Sequence, residues 1–330
     1  MRTRGYHVRG HRRTSKRGVR FAAGRGLPKP RAPKKEIAKG TFMGRGFMLS
    51  GKGTYADVLE PQHSAEYKYD GERIKAIVQV IPETGTHVAV TKVQLINRRG
   101  RTKQHKFTEI VEGMKRFQRH NGFKSGEFDG EALAIVNGKD NRLAEQIRSS
   151  TENPVKRAKA EKLYPLTYAI FDILALNGRS LMGASFMDRR SQLEALFKGF
   201  NDKTIILSPI TWSEREKVKL YNVTKVNGLE GVMVKDINGP YVPKRSNLWL
   251  KVKHRKEAVL TFTHYTKNNA GARLENEQGV MVQCTGVQCG PVLKELRKKG
   301  KVRCEIEYQE RTAKNNLYFQ PSFKRLVGGD

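Results

Sequence analysis

Cysteine is scarce in this chain, with only Cys284, Cys289 and Cys304 in 330 residues. Three thiols make neither a disulfide framework nor a four-ligand zinc site, so reduced cysteines in a cytosol-like compartment are the plain reading. Long apolar runs are missing as well. No stretch approaches the roughly 20 residues that a spanning helix needs, and the N-terminus lacks the apolar core of a secretory signal. No basic amphipathic helix with an aromatic apolar face is evident, so no membrane partner is expected. No repeat of fixed period appears. Acids are few too: 32 Asp and Glu stand against 64 Lys and Arg, a net charge of +32.

The excess of cations is spread along the chain. Residues 1–40 hold fourteen Lys/Arg and one acid, and the remaining fifty against thirty-one still leave +19. A folded region that basic points to a polyanion, nucleic acid above all, because released counterions drive such binding. A chain of this length buries a sizeable core and is expected to divide into two domains.

Three segments are expected. Residues 1–40, from Met1-Arg2-Thr3-Arg4 to Pro33-Lys34-Lys35, are rich in Arg, Lys, Gly and Pro. With too little apolar surface to offset the entropy of ordering, they are expected to be disordered in isolation. They read as a tether to phosphates, with a solubilising or organelle-targeting tail as the alternatives. Residues 41–253 alternate strands and helices. Residues 254–330, after a change of composition near His254, read as short strands with glycine turns and one helix over Val292–Lys299. That pattern suits a small Greek-key barrel of oligonucleotide-binding type.

Within the middle segment a strand ends at Lys68, turns at Asp70-Gly71 and resumes in the β-branched run Ile74–Ile81. Val88–Ile96 reads as a strand and Gln104–His120 as a helix with Phe107, Ile110, Val111, Met114 and Phe117 on its core stripe. Phe128–Ile135 is strand-like, and alternation puts Asp129 and Glu131 on one face. Residues 138–163 are polar and read as one helix bracketed by loops. Leu166–Leu176 is a buried strand, Met187–Phe200 a helix, Thr204–Trp212 a strand and Glu214–Val226 a helix. Leu229–Lys235 and Leu248–Lys253 close the segment as strands, the second with alternating lysines.

Around Lys68 stands the octet Glu66-Tyr67-Lys68-Tyr69-Asp70-Gly71-Glu72-Arg73. An ordinary lysine has a pKa near 10.4, so at neutral pH roughly one in a thousand or fewer is the reactive amine. Neighbouring cations and partial burial raise that fraction, which suits a nucleophile. Taken alone, the octet is equally a surface hairpin with a solvated lysine.

The octet resembles the first signature, K-x-D-G-x-R, of covalent nucleotidyltransferases, specifically the ATP-dependent DNA ligases. Five further elements follow in the family's order: Asn97-Arg98-Arg99-Gly100, Asp129-Gly130-Glu131, Tyr168-Ala169-Ile170-Phe171-Asp172, Glu230-Gly231-Val232-Met233-Val234-Lys235 and Trp249-Leu250-Lys251-Val252-Lys253. The resemblance runs from about residue 60 to 325. It implies an α+β fold: an ATP-grasp-like nucleotidyltransferase domain of antiparallel sheets with flanking helices, then a small OB-fold barrel.

It also implies roles. Lys68 would attack the α-phosphorus of ATP, with Asp70 orienting it and Arg73 contacting nucleotide or nick phosphate. Glu66 would accept from the adenine amino group, Phe171 would stack on the base, and Arg98 would bind nucleotide and the nick 5′-phosphate. Glu131 would contact ribose and, with Glu230, hold Mg²⁺. Lys251 and Lys253 would grip the α-phosphate. General physics agrees, since such transfers need positioning and charge neutralisation, and strand lysines two apart share one face. The implied reaction is ATP-dependent sealing of 3′-hydroxyl/5′-phosphate nicks in duplex DNA through a lysyl-AMP. The expected partner is nicked double-stranded DNA, and the expected state is a monomer in the cytoplasm of a bacterium or virus-infected cell, or in a nucleus or organelle.

Two departures stand out. The family's sixth signature, Arg-x-Asp-Lys, is replaced by Leu326-Val327-Gly328-Gly329-Asp330 after an approach that ends in Lys324-Arg325. Those two cations are the candidates to take its place. The helical DNA-binding domain of larger ligases is not seen either, so a compact viral or phage-type enzyme is expected. The rival readings are an RNA ligase or mRNA-capping nucleotidyltransferase, and a non-catalytic basic nucleic-acid-binding protein on a ligase scaffold.

Overall fold

The β-branched run after Gly71 forms the strand Glu72–Ile81, and the two apolar runs beyond it form Ser125–Val136 and Leu166–Leu176. These are the centre of a seven-stranded sheet in a computed structural model that describes residues 46–85, 88–308, 310–311, 318–319 and 321–327. The basic tail, with its expected disorder, lies outside the described residues. The order is Val90–Asn97, Glu72–Ile81, Ser125–Val136, Leu166–Leu176 and Arg179–Ser180, with Lys139–Asp140 and Ile205–Leu207 paired alongside. Only Ile205–Leu207 runs parallel to its neighbour.

One face of this sheet is covered by the helix Thr108–Asn121, which buries Ile110, Met114 and Phe117 as its 3.6-residue period requires. The helix stops at Gly122, whose φ of 67° suits a left-handed cap and whose N–H returns to the Gln118 carbonyl. Phe117 sits at the centre of an aromatic cluster, with ring centroids 4.8 Å from Phe197, 5.0 Å from Phe200 and 5.6 Å from Phe128.

A second sheet of five strands runs Leu49–Lys52, Arg245–Lys253, Gly231–Asp236, His63–Tyr67 and Ile210–Thr211. Its outer pair, Leu49–Lys52 with Arg245–Lys253, is parallel; the others are antiparallel. The helix Glu214–Val226 packs here through Leu220. The chain is therefore mixed α+β, built mainly from antiparallel sheets.

Beyond His254 come two three-stranded sheets, a two-stranded ribbon and the helix Cys289–Lys299 around their own core of Phe262, Leu274, Val292, Val302 and Ile306. All three cysteines are free and buried there. Burial pushes the thiols of Cys284 and Cys304 up to about 12. Among the described residues these strands do not close into a single barrel. No helix among them is long and apolar enough to cross a membrane.

Three expectations are corrected. Residues 138–163 form a strand and two helices, Arg142–Ser150 and Pro154–Leu163, instead of one helix. The break is local chemistry: the Asn153 side chain accepts from the N–H groups of Val155 and Lys156, and Pro154 takes the first helical position. The strand expected over Thr204–Trp212 splits at Ser208-Pro209, because proline cannot donate to a ladder. Its halves, Ile205–Leu207 and Ile210–Thr211, join different sheets. The helix expected over Met187–Phe200 runs Phe186–Phe197, capped by the Ser185 hydroxyl.

Phe117→Ala empties the middle of the aromatic cluster and should lower the unfolding free energy by about 3–5 kcal/mol, read from denaturant titration of the full chain.

Candidate active site

The octet does not form a hairpin. Residues His63–Tyr67 belong to the five-stranded sheet and Glu72–Ile81 to the seven-stranded one, so Lys68 to Gly71 cross from one to the other. The crossing is close. A Cβ on Gly71 would stand 2.2 Å from the carbonyl oxygen of Ala132, so only glycine fits. Lys68 is fixed at the crossing by its own N–H, which donates to the Gly231 carbonyl (3.0 Å).

A cavity of about 370 Å³ opens there, lined from both sheets. It brings together Glu66, Lys68, Asp70, Arg73, Arg98, Glu131, Phe171, Glu230, Lys251 and Lys253, all named above from sequence. Residues 68 and 230 are 162 positions apart, yet the Lys68 amine lies 2.5 Å from the Glu230 carboxylate. The other oxygen of Glu230 is 2.6 Å from Lys253. Gly231 makes this possible: its φ is 140°, and a Cβ would stand 2.1 Å from the Val252 carbonyl oxygen. The neighbouring strand can then run tight against the acid.

Lys251 shares the cavity-lining face with Lys253 but makes no ion pair among the described residues. Burial holds its pKa below the usual lysine value, and Lys253, Arg245 and Lys68 add to the lowering. A phosphate placed there would relieve that crowding. Asp70 is held up by burial and by Glu230, against the pull of Arg142 and Lys68. Its N–H donates to Asp140 (2.8 Å).

Arg73 lines the cavity, and its guanidinium is also engaged within the protein. Its guanidinium grips the fully buried Asp129 with two bonds (3.0 and 2.6 Å) and the Met48 carbonyl with a third (2.7 Å). It also lies 5.2–5.4 Å from the ring centroids of Phe47, Phe171 and Trp249. Tyr241 completes the group, donating to Asp129 (2.7 Å). Asp129 and Glu131 do share a face, but the first is spent on Arg73 while the second lines the cavity. In this arrangement Arg73 positions the aromatic wall.

Phe171 lines the cavity, edge-on to Trp249 at 5.9 Å. Beside it are two residues without an assigned role, Lys235 and Trp249. Lys235 is buried, pairs with Glu66 at 2.7 Å and sits 4.5 Å from the Phe171 ring. Burial lowers its pKa while Glu66 opposes the shift. The signal for it was present: Lys235 lies two positions beyond Met233 on a strand whose alternate residues face the cavity. Arg142, also in the lining, had no comparable signal.

Glu131 accepts no hydrogen bond among the described residues, and burial pushes its carboxyl up to about 8 against the attraction of Lys68 and Arg73. An acid so placed is short of cations. No cluster of three potential ligands exists among the described residues. Glu131 and Glu230 both line the cavity, a donor set that fits a hard cation taking one or two carboxylates and phosphate oxygens, as Mg²⁺ does.

A larger groove of about 740 Å³ continues from the cavity, sharing Gly71, Arg73, Arg98, Glu131 and Arg142 with it. Glu145 on its wall is buried and accepts from Arg142 (2.8 Å). Burial pushes its carboxyl up to about 7, against Arg142 and reinforced by Glu72. Lys324 and Arg325 lie elsewhere, paired with Glu257 and Glu305 on the C-terminal sheet.

Residues 51–253 match the family of the ATP dependent DNA ligase domain. The chain belongs to that family. Among curated relatives, the DNA ligase of Methanocorpusculum labreanum is 27% identical over 218 residues, 64% of this chain and 36% of that protein. The chain spans about a third of the length of the curated relatives it matches. Among solved structures, a Lig E DNA ligase aligns with a TM-score of 0.57 at 18% identity, over 86% of this chain and 99% of its own. The ligase domain of M. tuberculosis LigD aligns with a TM-score of 0.53 at 19% identity, covering 86% and 94%. These likenesses establish a shared fold.

Two outcomes test the charge network. Asp129→Ala leaves Arg73 without its buried partner and should cost about 3–5 kcal/mol in urea titration, whereas Tyr241→Phe should cost about 1 kcal/mol. Glu145 has a folded pKa above its ordinary 4.5. The folded chain therefore keeps a proton that the unfolded chain has released between about pH 4.5 and 7, and this group makes stability fall across that window. Glu145→Gln should flatten the wild-type decline between about pH 5 and 7.5.

Proposed function

We propose that this chain is an ATP-dependent DNA ligase that seals 3′-hydroxyl/5′-phosphate nicks in duplex DNA, with Lys68 as the nucleophile. The observation that carries the reading is the meeting of Lys68, Glu230, Lys251 and Lys253 in one nucleotide-sized cavity from distant parts of the chain. Family membership and the basic composition support it. So does the fold shared with a Lig E enzyme, whose description concerns DNA binding with a minimal scaffold.

Three transfers follow. The Lys68 amine attacks the α-phosphorus of ATP; an N–P bond forms, the α–β P–O bond breaks and pyrophosphate leaves. The Glu230 carboxylate, 2.5 Å from the amine nitrogen, is the group at hand to take the proton. The nick 5′-phosphate next displaces Lys68 from AMP, and finally the 3′-hydroxyl attacks that phosphorus and releases AMP. Lys251 and Lys253 neutralise charge on the transferring phosphate. Glu66 accepts from the adenine amino group with Lys235 behind it, and Phe171 covers the ring. Glu131, with Glu230 once its lysines turn to phosphate, would hold Mg²⁺, which supplies positive charge to the phosphate oxygens.

The division into a basic tail (1–40), an adenylyltransferase domain (41–253) and a C-terminal OB-type domain (254–330) belongs to the same proposal. So do the monomeric state and closure of the C-terminal domain over the nucleotide. Lys324 and Arg325 would have to leave Glu257 and Glu305 to serve the first transfer.

The test is covalent labelling. Wild type incubated with α-labelled ATP and Mg²⁺ should carry label and seal a nicked duplex; α-labelled GTP in place of ATP should give neither, and single-stranded RNA in place of the duplex should not be joined. Lys68→Ala should bind DNA and never retain label. Labelling of the Lys68→Ala variant, or no labelled lysine in the wild type at any pH or metal, sinks the reading.

A further inference from the structure

Lys251 and Lys253 answer the charge at the α-phosphate, but ATP carries two phosphates beyond it, and most of its charge lies there. Pyrophosphate leaves with that charge, so cations are needed where it departs. Lys324 and Arg325 are held by Glu257 and Glu305 on the C-terminal sheet.

The strand order of the five-stranded sheet gives the direction of departure. Lys68 follows the strand His63–Tyr67. Beside that strand lies Gly231–Asp236, preceded by Glu230, then Arg245–Lys253 with its two lysines, and last the edge strand Leu49–Lys52. Transfer at phosphorus keeps the attacking and leaving atoms roughly in line. With the amine on one side and the α-phosphate at Lys251 and Lys253, the leaving oxygen points away from Lys68 and towards that edge.

The edge carries Lys52. It is the parallel register partner of Lys251, one strand spacing of about 4.8 Å away, so the two side chains share a face. Glycines on both sides fix this placement. A Cβ on Gly51 or on Gly53 would stand 2.9 Å from the Leu250 side chain, so only a bare backbone runs this tight against the neighbouring strand. The Gly53 N–H donates to the Lys251 carbonyl (3.1 Å). With Gly51 and Gly53 turned to Leu250 and the core, Ser50 and Lys52 face the other way, and Ser50 lines the cavity.

Arg245 adds a second cation on the same edge. Its guanidinium donates to the Ser50 carbonyl (2.7 Å), and its charge helps to hold the pKa of Lys251 down. Lys52 and Arg245 are exposed, and neither makes an ion pair among the described residues. Cations gathered in this way repel one another, and a polyphosphate relieves the repulsion.

We propose that Lys52 and Arg245 form the subsite for the β- and γ-phosphates of ATP and hold pyrophosphate as it leaves. The identity of the nucleotide rests on the ligase reading. As the Lys68 nitrogen bonds to the α-phosphorus, the α–β P–O bond breaks and its electron pair stays on the bridging oxygen. The charge developing there meets the two cations of the edge strand.

The test compares two ligands that differ in the phosphates at issue. Affinities of the full chain for α,β-methylene ATP, which cannot release pyrophosphate, and for AMP are measured by calorimetry with Mg²⁺ for wild type and Lys52→Ala/Arg245→Ala. The advantage of the triphosphate over AMP should shrink about tenfold in the double variant. Lys52→Arg/Arg245→Lys, which keeps both charges, should retain most of it. On protein already labelled from ATP, the inorganic pyrophosphate needed to remove half the label should rise by a similar factor. An unchanged advantage overturns the subsite, whatever happens to affinity for nicked duplex. Equal thermal midpoints exclude misfolding of the variants. The two readings fail separately: an advantage that shrinks in a protein that never labels counts against the ligase reading alone, and an unchanged advantage in a protein that does label counts against the subsite alone.

Discussion

A single carboxylate holds the site together. Glu230 lies between Lys68 and Lys253, within ion-pair distance of each, and it does so from the position just before a strand whose partner approaches as closely as backbone allows. Two cations on one face of a cleft repel unless an anion separates them. Under the proposed function a nucleotide would bring its own negative charge, the lysines would turn to it, and Glu230 would be free to help hold a metal. The ion pairs of Glu230 with Lys68 and Lys253 thus define the site as it stands.

Behind this exchange stands a layer of charges that does not move. Arg73 on Asp129, Lys235 on Glu66 and Arg189 on Asp172 are pairs with at least one fully or nearly fully buried partner. Buried pairs of this kind add little net stability, since desolvation offsets attraction, but breaking one is costly. Their use here is geometric. Arg73 aligns Phe171 and Trp249, and Lys235 holds Glu66 at the edge of the pocket, so the cavity walls are set in advance.

The motifs were legible because each lies on a strand where alternation fixes the side, as with Lys251 and Lys253, or at a turn marked by glycine, as at Gly71 and Gly231. What alternation cannot tell is which sheet a strand joins. Residues 66–73 therefore read as a hairpin although their two strands part company, and Thr204–Trp212 read as one strand although Pro209 sends its halves to different sheets. The partner of Arg73 was illegible for a related reason. That partner is Asp129, 56 positions on, whose burial no local pattern reveals. Arg142 was invisible because it sits in a helix of ordinary polar composition.

The cysteines add a practical asymmetry. All three thiols lie in the core beyond His254, and the part of the chain that holds Lys68 has none. Burial keeps the protons of Cys284 and Cys304 in place far above neutral pH, so their thiolates form when that core opens. The rate at which an alkylating reagent consumes these side chains is therefore a clock for breathing of the C-terminal module, read against a silent background from the part that holds Lys68.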